Sequence, residues 1–324
     1  MKVKSRGYST PSERRITDFG ADDSFKKAGE KLKEHYGITV PESSVRSITE
    51  KHAEIIKKEK VIESEIPDNE GAAYIISGMD GTMIPIVDTE GEDIDKKPID
   101  RRKTRKVRWK EARLTLAYEL GTVQPIFGVT TGSPENAGDL LADCAIQAGI
   151  GSNTHVCCIS DRAVWINDQV DRVFGTQAEY LTDFYHLCDY MAPASKKCAP
   201  EAPGQWFDEQ KRRMKAGLAE EVLQVSKSCL EPAELPDTEA PVRCCYRYMT
   251  DRPEQFNYKD ALENKLPIGS GEVESAHRYV IQERLKIPGA WQVENNAENM
   301  LSLRVLRENN GWDDYWTKKY QHAA

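Results

Sequence analysis

Residues 74–87 read YIISGMDGTMIPIV, and this stretch decides the class of fold. Short apolar runs that contain β-branched residues and are interrupted by glycine are typical of strands joined by tight turns. We therefore predict one strand over Tyr74–Asp80, a turn at Gly81-Thr82 and a returning strand over Met83–Val87. The first strand would then end in a carboxylate, that of Asp80.

Strand and helix patterns continue to alternate after this hairpin. Strands are predicted over Arg113–Tyr118, Gln124–Thr130 and His155–Ser160, and the last of these is followed at once by Asp161. A Ser-Pro pair at 133–134 marks the start of a helix, because serine is a good cap and proline suits the first helical position. Strand patterns cease after about residue 182, so the order of elements predicts an α/β layered core.

The N-terminal residues are predicted to be helical. Apolar residues recur at helical spacing in two runs, one on each side of Gly37. The runs are Phe25, Ala28, Leu32 and Tyr36, and Val45, Ile48, Ile55 and Ile56. Two amphipathic helices joined by a glycine turn are typical of a DNA-binding helix-turn-helix, although any helical hairpin gives the same pattern.

The composition narrows the class of protein. The chain has 324 residues, 39% of them hydrophobic and 30% charged, and its apolar runs are shorter than the ~20 residues that a membrane span needs. Its first residues carry no apolar signal region, so we expect a cytoplasmic protein without a membrane partner. The eight cysteines form no C-x-x-C pair, which favours reduced, buried thiols over a zinc site.

The net charge of −8 is distributed unevenly. Between Lys96 and Lys110, nine lysines and arginines stand against the single acid Asp100, so this stretch carries +8 and the rest of the chain −16. A local cationic segment can neutralise the phosphates of a nucleic acid, and the alternative is a solvated charged loop. The candidate phosphate-binding residues are Arg101, Arg102, Lys103, Arg105, Lys106, Arg108 and Lys110.

Two acids at predicted strand ends, Asp80 and Asp161, are the first candidates for chemistry. If their strands pair, both carboxylates reach one edge of the sheet and could hold two Mg2+ or Mn2+ ions for phosphoryl transfer. The alternative is a pair of solvated acids in turns.

The predicted helix that begins near Glu272 offers a third carboxylate, from Glu272 or Glu274. Helical periodicity favours Glu274, because it shares with Arg278, Ile281 and Leu285 a face that is expected to pack inward. An inward Glu274 could instead form a structural salt bridge with Arg278.

Four motifs together resemble a known family. They are Gly78-Met79-Asp80-Gly81-Thr82, Ser160-Asp161-Arg162-Ala163-Val164-Trp165-Ile166, Asp183-Phe184-Tyr185-His186, and Pro267-Ile268-Gly269-Ser270-Gly271-Glu272-Val273-Glu274-Ser275-Ala276-His277, which continues through Arg284-Leu285-Lys286 to Trp291. In this combination they resemble the core of the ISKra-type insertion-sequence transposases, bacterial relatives of the Mutator-like elements. The resemblance covers roughly residues 70–315.

The resemblance implies an RNase H-like mixed sheet flanked by helices, and a DDE triad formed by Asp80, Asp161 and Glu274 that binds two Mg2+ or Mn2+ ions. Trp165 and Trp291 could stack on unpaired bases near a transposon end, and core packing is the alternative for each. The candidate supporting residues around the triad are Asp183, His186, Glu272 and Arg278.

The chain is predicted to consist of four segments. Residues 1–68 form the N-terminal helical segment, and residues 70–191 form the first part of the RNase H-like core. Residues 192–262, rich in proline and charge, form an all-helical insertion. Residues 263–324 complete the core with the glutamate-bearing helix and the C-terminal helices.

The expected function is that of a bacterial DNA transposase associated with the nucleoid. It would cut at terminal inverted repeats and transfer the strand to target DNA, acting as a homodimer or larger assembly because two ends must be joined in one event. Two alternatives remain open: an RNase H-like nuclease without strand transfer, and a decayed or domesticated transposase that binds DNA without chemistry.

Overall fold

The computed structural model describes residues 7–88 and 105–323, so Arg101, Arg102 and Lys103 lie outside the described residues. A five-stranded sheet forms the centre of the described chain. Its strands are β1 (Tyr74–Asp88), β2 (Lys106–Glu119), β3 (Ile126–Thr130), β4 (His155–Ser160) and β5 (Ala178–Thr182). The strand order is β3-β2-β1-β4-β5, in which β2 is antiparallel to both of its neighbours while β4 and β5 run parallel to β1.

Helices precede, separate and follow the strands. In chain order they are α1 (Thr10–Asp22), α2 (Phe25–Tyr36), α3 (Glu42–Glu59), α4 (Pro134–Gln147), α5 (Val164–Phe174), α6 (Phe184–Cys198), α7 (Pro203–Lys215), α8 (Ala219–Lys227), α9 (Pro241–Thr250) and α10 (Tyr258–Glu263). The next helix, α11, is α-helical over Gly271–Ala276, π-helical over His277–Gln282 and α-helical again over Glu283–Leu285. The chain closes with α12 (Glu294–Glu308) and α13 (Trp312–Ala323).

Both faces of the sheet are covered by helices. On one face, α4 and α5 pack against alternate residues of β1 and β4 such as Ile75 and Cys158. On the other face, α11 and α12 lie over β1 to β3, and α6 to α10 form a second cluster with β4 and β5. The fold is therefore α/β, with a five-stranded mixed sheet between helical layers, and it is compatible with the predicted RNase H-like arrangement.

The predicted hairpin at Gly81-Thr82 is wrong, because β1 is one continuous strand. Gly81 pairs with Arg113 of β2 and does not adopt the left-handed backbone of a turn glycine. A Cβ at Gly81 would lie 2.2 Å from Oε1 of Glu111, so glycine makes room for a side chain on the neighbouring strand. Asp80 consequently lies within a strand and does not end one.

The second half of the cationic stretch is also not a loop. Residues from Lys106 onward belong to β2, and Lys110 pairs in register with Ile84 of β1. Lys106, Arg108 and Lys110 are spaced by two residues, so alternation along the strand sends their side chains to the same face of β2.

The predicted helical periods are confirmed at both ends of the chain. Gly37 has a left-handed backbone (φ 66°) at the end of α2, and the predicted C-terminal helices are α12 and α13. The segment predicted as a helical insertion contains α7 and α8, which are separated where Gly217 adopts φ 76°. Helix α6 runs through the predicted boundary between residues 191 and 192.

Candidate active site

Strand register brings three aspartates to one level of the sheet. The parallel register pairs Ser77 of β1 with Cys158 of β4, so Asp80 and Asp161 fall beside each other three residues further along. The register of β4 with β5 continues in the same way to Asp161 and Asp183. Because side chains alternate along a strand, all three aspartates lie on the face that is covered by α6 and α11.

Asp80 and Asp161 are close enough to repel each other. Burial, with the neighbouring Asp80 charge as the next cause, raises the pKa of Asp161 above its ordinary value. The Asp80 side chain is 35% exposed, so the pair is reached from solvent. In residues 7–88 and 105–323, neither carboxylate forms an ion pair with a lysine or arginine, and the pair is therefore suited to a cation.

Helix α11 lies directly on β1 above this pair. A Cβ at Gly78 would lie 2.5 Å from Cγ2 of Val273, so glycine allows the helix to approach the strand. One turn further along α11, Nε2 of His277 lies 2.9 Å from Oδ2 of Asp80. At the end of the helix, Nζ of Lys286 donates a 2.8 Å hydrogen bond to Oγ1 of Thr82. The helix thus follows the strand past Asp80.

His277 is a site residue that the sequence reasoning missed. The side chain is buried, and within the described part of the chain its ring nitrogens make no hydrogen bond of good geometry, even though Nε2 lies beside Asp80. Its position four residues after Val273, on the same helical face, was the available signal. The π-helical stretch begins at His277, and such stretches are frequent at functional sites.

Glu272 and Glu274 are both exposed, and the predicted inward stripe through Glu274 and Arg278 is wrong. Arg278 is 82% exposed and its nearest carboxylate, 3.8 Å away, belongs to Glu283. A period of 3.6 residues was assumed throughout, whereas the π-helical stretch has wider turns and shifts the phase of the helix. The buried residues of α11 are Val273, Ala276, His277, Val280, Ile281, Arg284 and Leu285, so Ile281 and Leu285 are buried as predicted.

The predicted triad is not gathered around one point. In the described residues, no three His, Cys, Asp or Glu side chains are arranged so that they could hold one ion together. Asp80 and Asp161 are adjacent, whereas the charge of Glu272 acts on Tyr118: burial, with the Glu272 charge as the next cause, raises the pKa of Tyr118 to about 12.

Asp183 anchors the segment that leads into α11. It is 2% exposed, and its Oδ1 accepts hydrogen bonds from the backbone N–H groups of Tyr185 (2.6 Å) and His186 (3.0 Å), which caps α6. Its Oδ2 accepts from the backbone N–H of Ser270 at 2.6 Å and from the Ser270 hydroxyl. Asp183 thus joins the end of β5 to the start of α11, and its oxygens are occupied by these donors.

The described cations of the basic stretch have individual partners. The Arg105 guanidinium lies 4.6 Å from the ring centroid of Trp291. Arg108 donates a 2.8 Å hydrogen bond to Asp88 and also bonds to Glu294, whose Oε1 lies 3.0 Å from Nζ of Lys110. These acids neutralise part of the predicted phosphate-binding charge.

Trp165 lies on the opposite side of the sheet from α11. It is partly buried in the cluster of α4 and α5, and the Arg113 guanidinium lies 5.2 Å from its ring centroid. Its surroundings are those of a packed tryptophan with one cation on its face.

Comparisons with known proteins include a distant structural similarity. No family model matches the chain, and no curated protein matches it. Among solved structures, the chain is similar to the Drosophila P element transposase strand transfer complex, with a TM-score of 0.35 and 10% sequence identity over 98% of this chain and 82% of that one. In the described residues, no helix combines the length and apolar character that crossing a membrane requires.

Proposed function

We propose that this chain is a metal-dependent DNA transposase that cuts a strand at a transposon end and joins it to target DNA. The observation that supports this most directly is the Asp80–Asp161 pair, two mutually repelling carboxylates without a cationic partner in the described chain, at the level where three strands and α11 meet. The motifs that resemble ISKra-type transposases contain the same two acids.

The donor set at this position fits a hard divalent cation. Carboxylate oxygens are the ligands that Mg2+ prefers, and they also suit Mn2+. Asp80 and Asp161 would hold the ions, and Glu274 is the third ligand that the resemblance supplies. When bound, the ions would activate the attacking oxygen and stabilise the leaving oxygen of a phosphodiester.

The surrounding residues would fix the positions of these groups. Asp183 holds the start of α11 through Ser270, and His277 limits the orientation of the Asp80 carboxylate. Arg105 and its neighbours on β2 would contact the DNA backbone, and α1 to α3 would recognise the terminal repeats. A homodimer or larger assembly would bring two ends together.

The test is a cleavage and strand-transfer assay with Mg2+ or Mn2+ on DNA that carries the repeats flanking the gene. Asp80→Asn should lower the cleavage rate by about 100-fold or more, as loss of an electrostatic stabiliser does, while DNA affinity stays within a few-fold. Asp139→Asn is the matched control, because Asp139 pairs with Arg172 on a distant surface of α4 and should cleave normally.

The outcomes separate the alternatives. Cleavage without joined products would identify a nuclease without strand transfer, and DNA binding without cleavage under either metal would identify a non-catalytic DNA-binding protein. Full cleavage by Asp80→Asn would remove Asp80 from the site.

A further inference from the structure

Beside Asp161, on the side away from β2, lies a group of polar atoms that have no partner. In the part of the chain that the structure describes, four buried side-chain atoms here make no hydrogen bond. They are Nε of Arg162, Oη of Tyr248, Nη1 of Arg252 and Oη of Tyr258. Buried polar groups are normally satisfied, so such a concentration points to a missing ligand.

Arg162 is held in a defined plane. Its guanidinium carbon lies 4.6 Å from the ring centroid of Tyr248 and 5.4 Å from that of Phe256. Tyr248 comes from α9 and Phe256 from the 3-10 turn Pro253–Phe256, which also contacts β5. Aromatic faces on a guanidinium leave its edge as the direction in which it can donate hydrogen bonds.

Arg162 and Arg252 are neighbours without an acidic partner. Burial is the main cause that lowers the pKa of Arg162, and the charge of Arg252 acts in the same direction. Asp251 and Glu254 lie nearby and oppose this effect, but both are exposed and neither forms an ion pair with Arg162 or Arg252 within the described residues. Two adjacent guanidinium groups that make no direct ion pair in the described residues repel each other, and an anion between them would relieve the repulsion.

We propose that Arg162 and Arg252, with the hydroxyl of Tyr248, bind a backbone phosphate of the nucleic-acid strand that enters the site. The proposal rests on the function proposed above. A planar guanidinium binds phosphate through two parallel hydrogen bonds, and Arg162 directly follows Asp161 in the chain. The strand order puts Arg162 and the cations of β2 on opposite sides of the Asp80–Asp161 pair, so a strand held by both would cross the carboxylates.

The test measures binding apart from cleavage. The full chain carrying Asp80→Asn is titrated with a fluorescein-labelled oligothymidylate, and anisotropy gives Kd at several salt concentrations. Arg162→Gln and Arg252→Gln should each weaken binding about tenfold, as expected when a charge-assisted hydrogen bond is lost. Each should also lower the slope of log Kd against log salt by about 0.7, the value for one phosphate contact of a single strand.

Arg247→Gln is the matched control. Like the other two variants it removes one positive charge, here from α9. Because Arg247 is already paired with Asp237, Kd and the salt slope should not change. Tyr248→Phe keeps the ring under Arg162 and removes the unpartnered hydroxyl, and a several-fold loss of affinity is expected. Thermal unfolding of every variant identifies any that fail to fold. The variants that do fold then test the phosphate site.

Two results would overturn the proposal. One is an unchanged salt slope in the folded Arg162→Gln and Arg252→Gln variants, and the other is an equal effect in Arg247→Gln. The proposed function can fail separately, because strand binding that depends on Arg162 in a chain that cuts no DNA with either metal would leave the phosphate site in place.

Discussion

At the scale of single residues, Asp161 is in an environment that disfavours its own charge. Burial and then Asp80 raise its pKa, so between pH 3.8 and the raised value the folded chain binds the proton more tightly than the unfolded chain. The free energy of unfolding therefore falls as pH rises through that window. Above it, ionised Asp161 destabilises the folded chain by the full amount. Asp161→Asn should raise the free energy of unfolding at pH 7, measured by urea denaturation without divalent cations.

Two comparisons make this prediction sharp. Asp139→Asn should lower the free energy of unfolding by up to ~1 kcal/mol, whereas Asp161→Asn should raise it, because Asp139→Asn breaks the surface ion pair with Arg172. Added Mg2+ should stabilise the unmodified chain more than Asp161→Asn. An Asp161→Asn chain less stable than the unmodified one at pH 7 would contradict the assigned cause.

The sequence pattern selected two residues of this candidate site, Asp80 and Asp161. Asp80 and Asp161 could be selected because each follows a run of strand residues, and register brings them together although Asp80 ends no strand. Helical spacing could have placed His277 on the inward face, but its contact with Asp80 could not be predicted, since it depends on how α11 lies on β1. The prediction that Glu274 lies on the inward face of α11 was wrong because the π-helical stretch changes the number of residues per turn.

At the scale of elements, the site depends on how closely α11 approaches β1. Gly78→Ala would place a methyl group 2.5 Å from Cγ2 of Val273 and 3.1 Å from the carbonyl oxygen of Ile159. A β-branched side chain and a backbone atom cannot move aside easily, so unfolding free energy should fall by about 1–3 kcal/mol. Strand cleavage should fall with it, because His277 would be displaced from Asp80.

A double variant tests whether the contact itself is responsible. Val273→Ala in the Gly78→Ala background should recover part of the lost stability, giving a coupling energy of about 0.5–3 kcal/mol in a double-mutant cycle. Gly204→Ala in the first turn of α7 is the control, since a Cβ there meets nothing within 4 Å, and it should be neutral or slightly stabilising. If the effects of the Gly78 and Val273 changes on the free energy of unfolding were additive, residues 78 and 273 would not be in contact between β1 and α11.

Elements were predictable where local chemistry specifies them. Ser133 caps α4 through a capping box with Asn136, as the Ser-Pro pair predicted. The strand residues of β1 were predicted, but its continuity across Gly81 and the start of β2 were not, because these depend on partners distant in sequence. Gly81 makes room for Glu111, and the charges of Arg108 and Lys110 are offset by Glu294 on α12.

At the scale of the whole molecule, the N-terminal and C-terminal helices form one body with the sheet. Ala53 and Ile56 of α3 share a buried cluster with Leu301 of α12 and Trp316 of α13. The side chain of Arg284 on α11 donates a 3.1 Å hydrogen bond to the carbonyl of Gly20 on α1. Periodicity predicted the helices of the first segment, but it could not predict their docking because both sides of the contact are amphipathic surfaces of the same kind.

His52 joins this body at a buried position and should make its stability depend on pH. Nδ1 lies 2.6 Å from the Tyr315 hydroxyl and Nε2 lies 3.0 Å from Oε2 of Glu13, so one side chain links α1, α3 and α13. Burial is the main cause that lowers the pKa of His52 below 6.5, although the Glu13 contact opposes it. The unfolded chain therefore binds more protons than the folded chain between the lowered pKa and 6.5, and stability falls as pH drops through that window.

His52→Gln should remove most of the pH dependence between pH 7 and 5, whereas His35→Gln, on the exposed face of α2, should leave it intact. Thermal unfolding followed by circular dichroism and by tryptophan fluorescence measures both. Trp312 and Trp316 lie on α13, and Trp316 packs 4.6 Å from the His52 ring, so two of the six tryptophans that fluoresce report the joined helices. Circular dichroism reports all helices, and the two transitions should coincide. A separate, earlier fluorescence transition would mean that the terminal helices melt on their own, and α1 to α3 would then be free to act as a detachable DNA-reading segment.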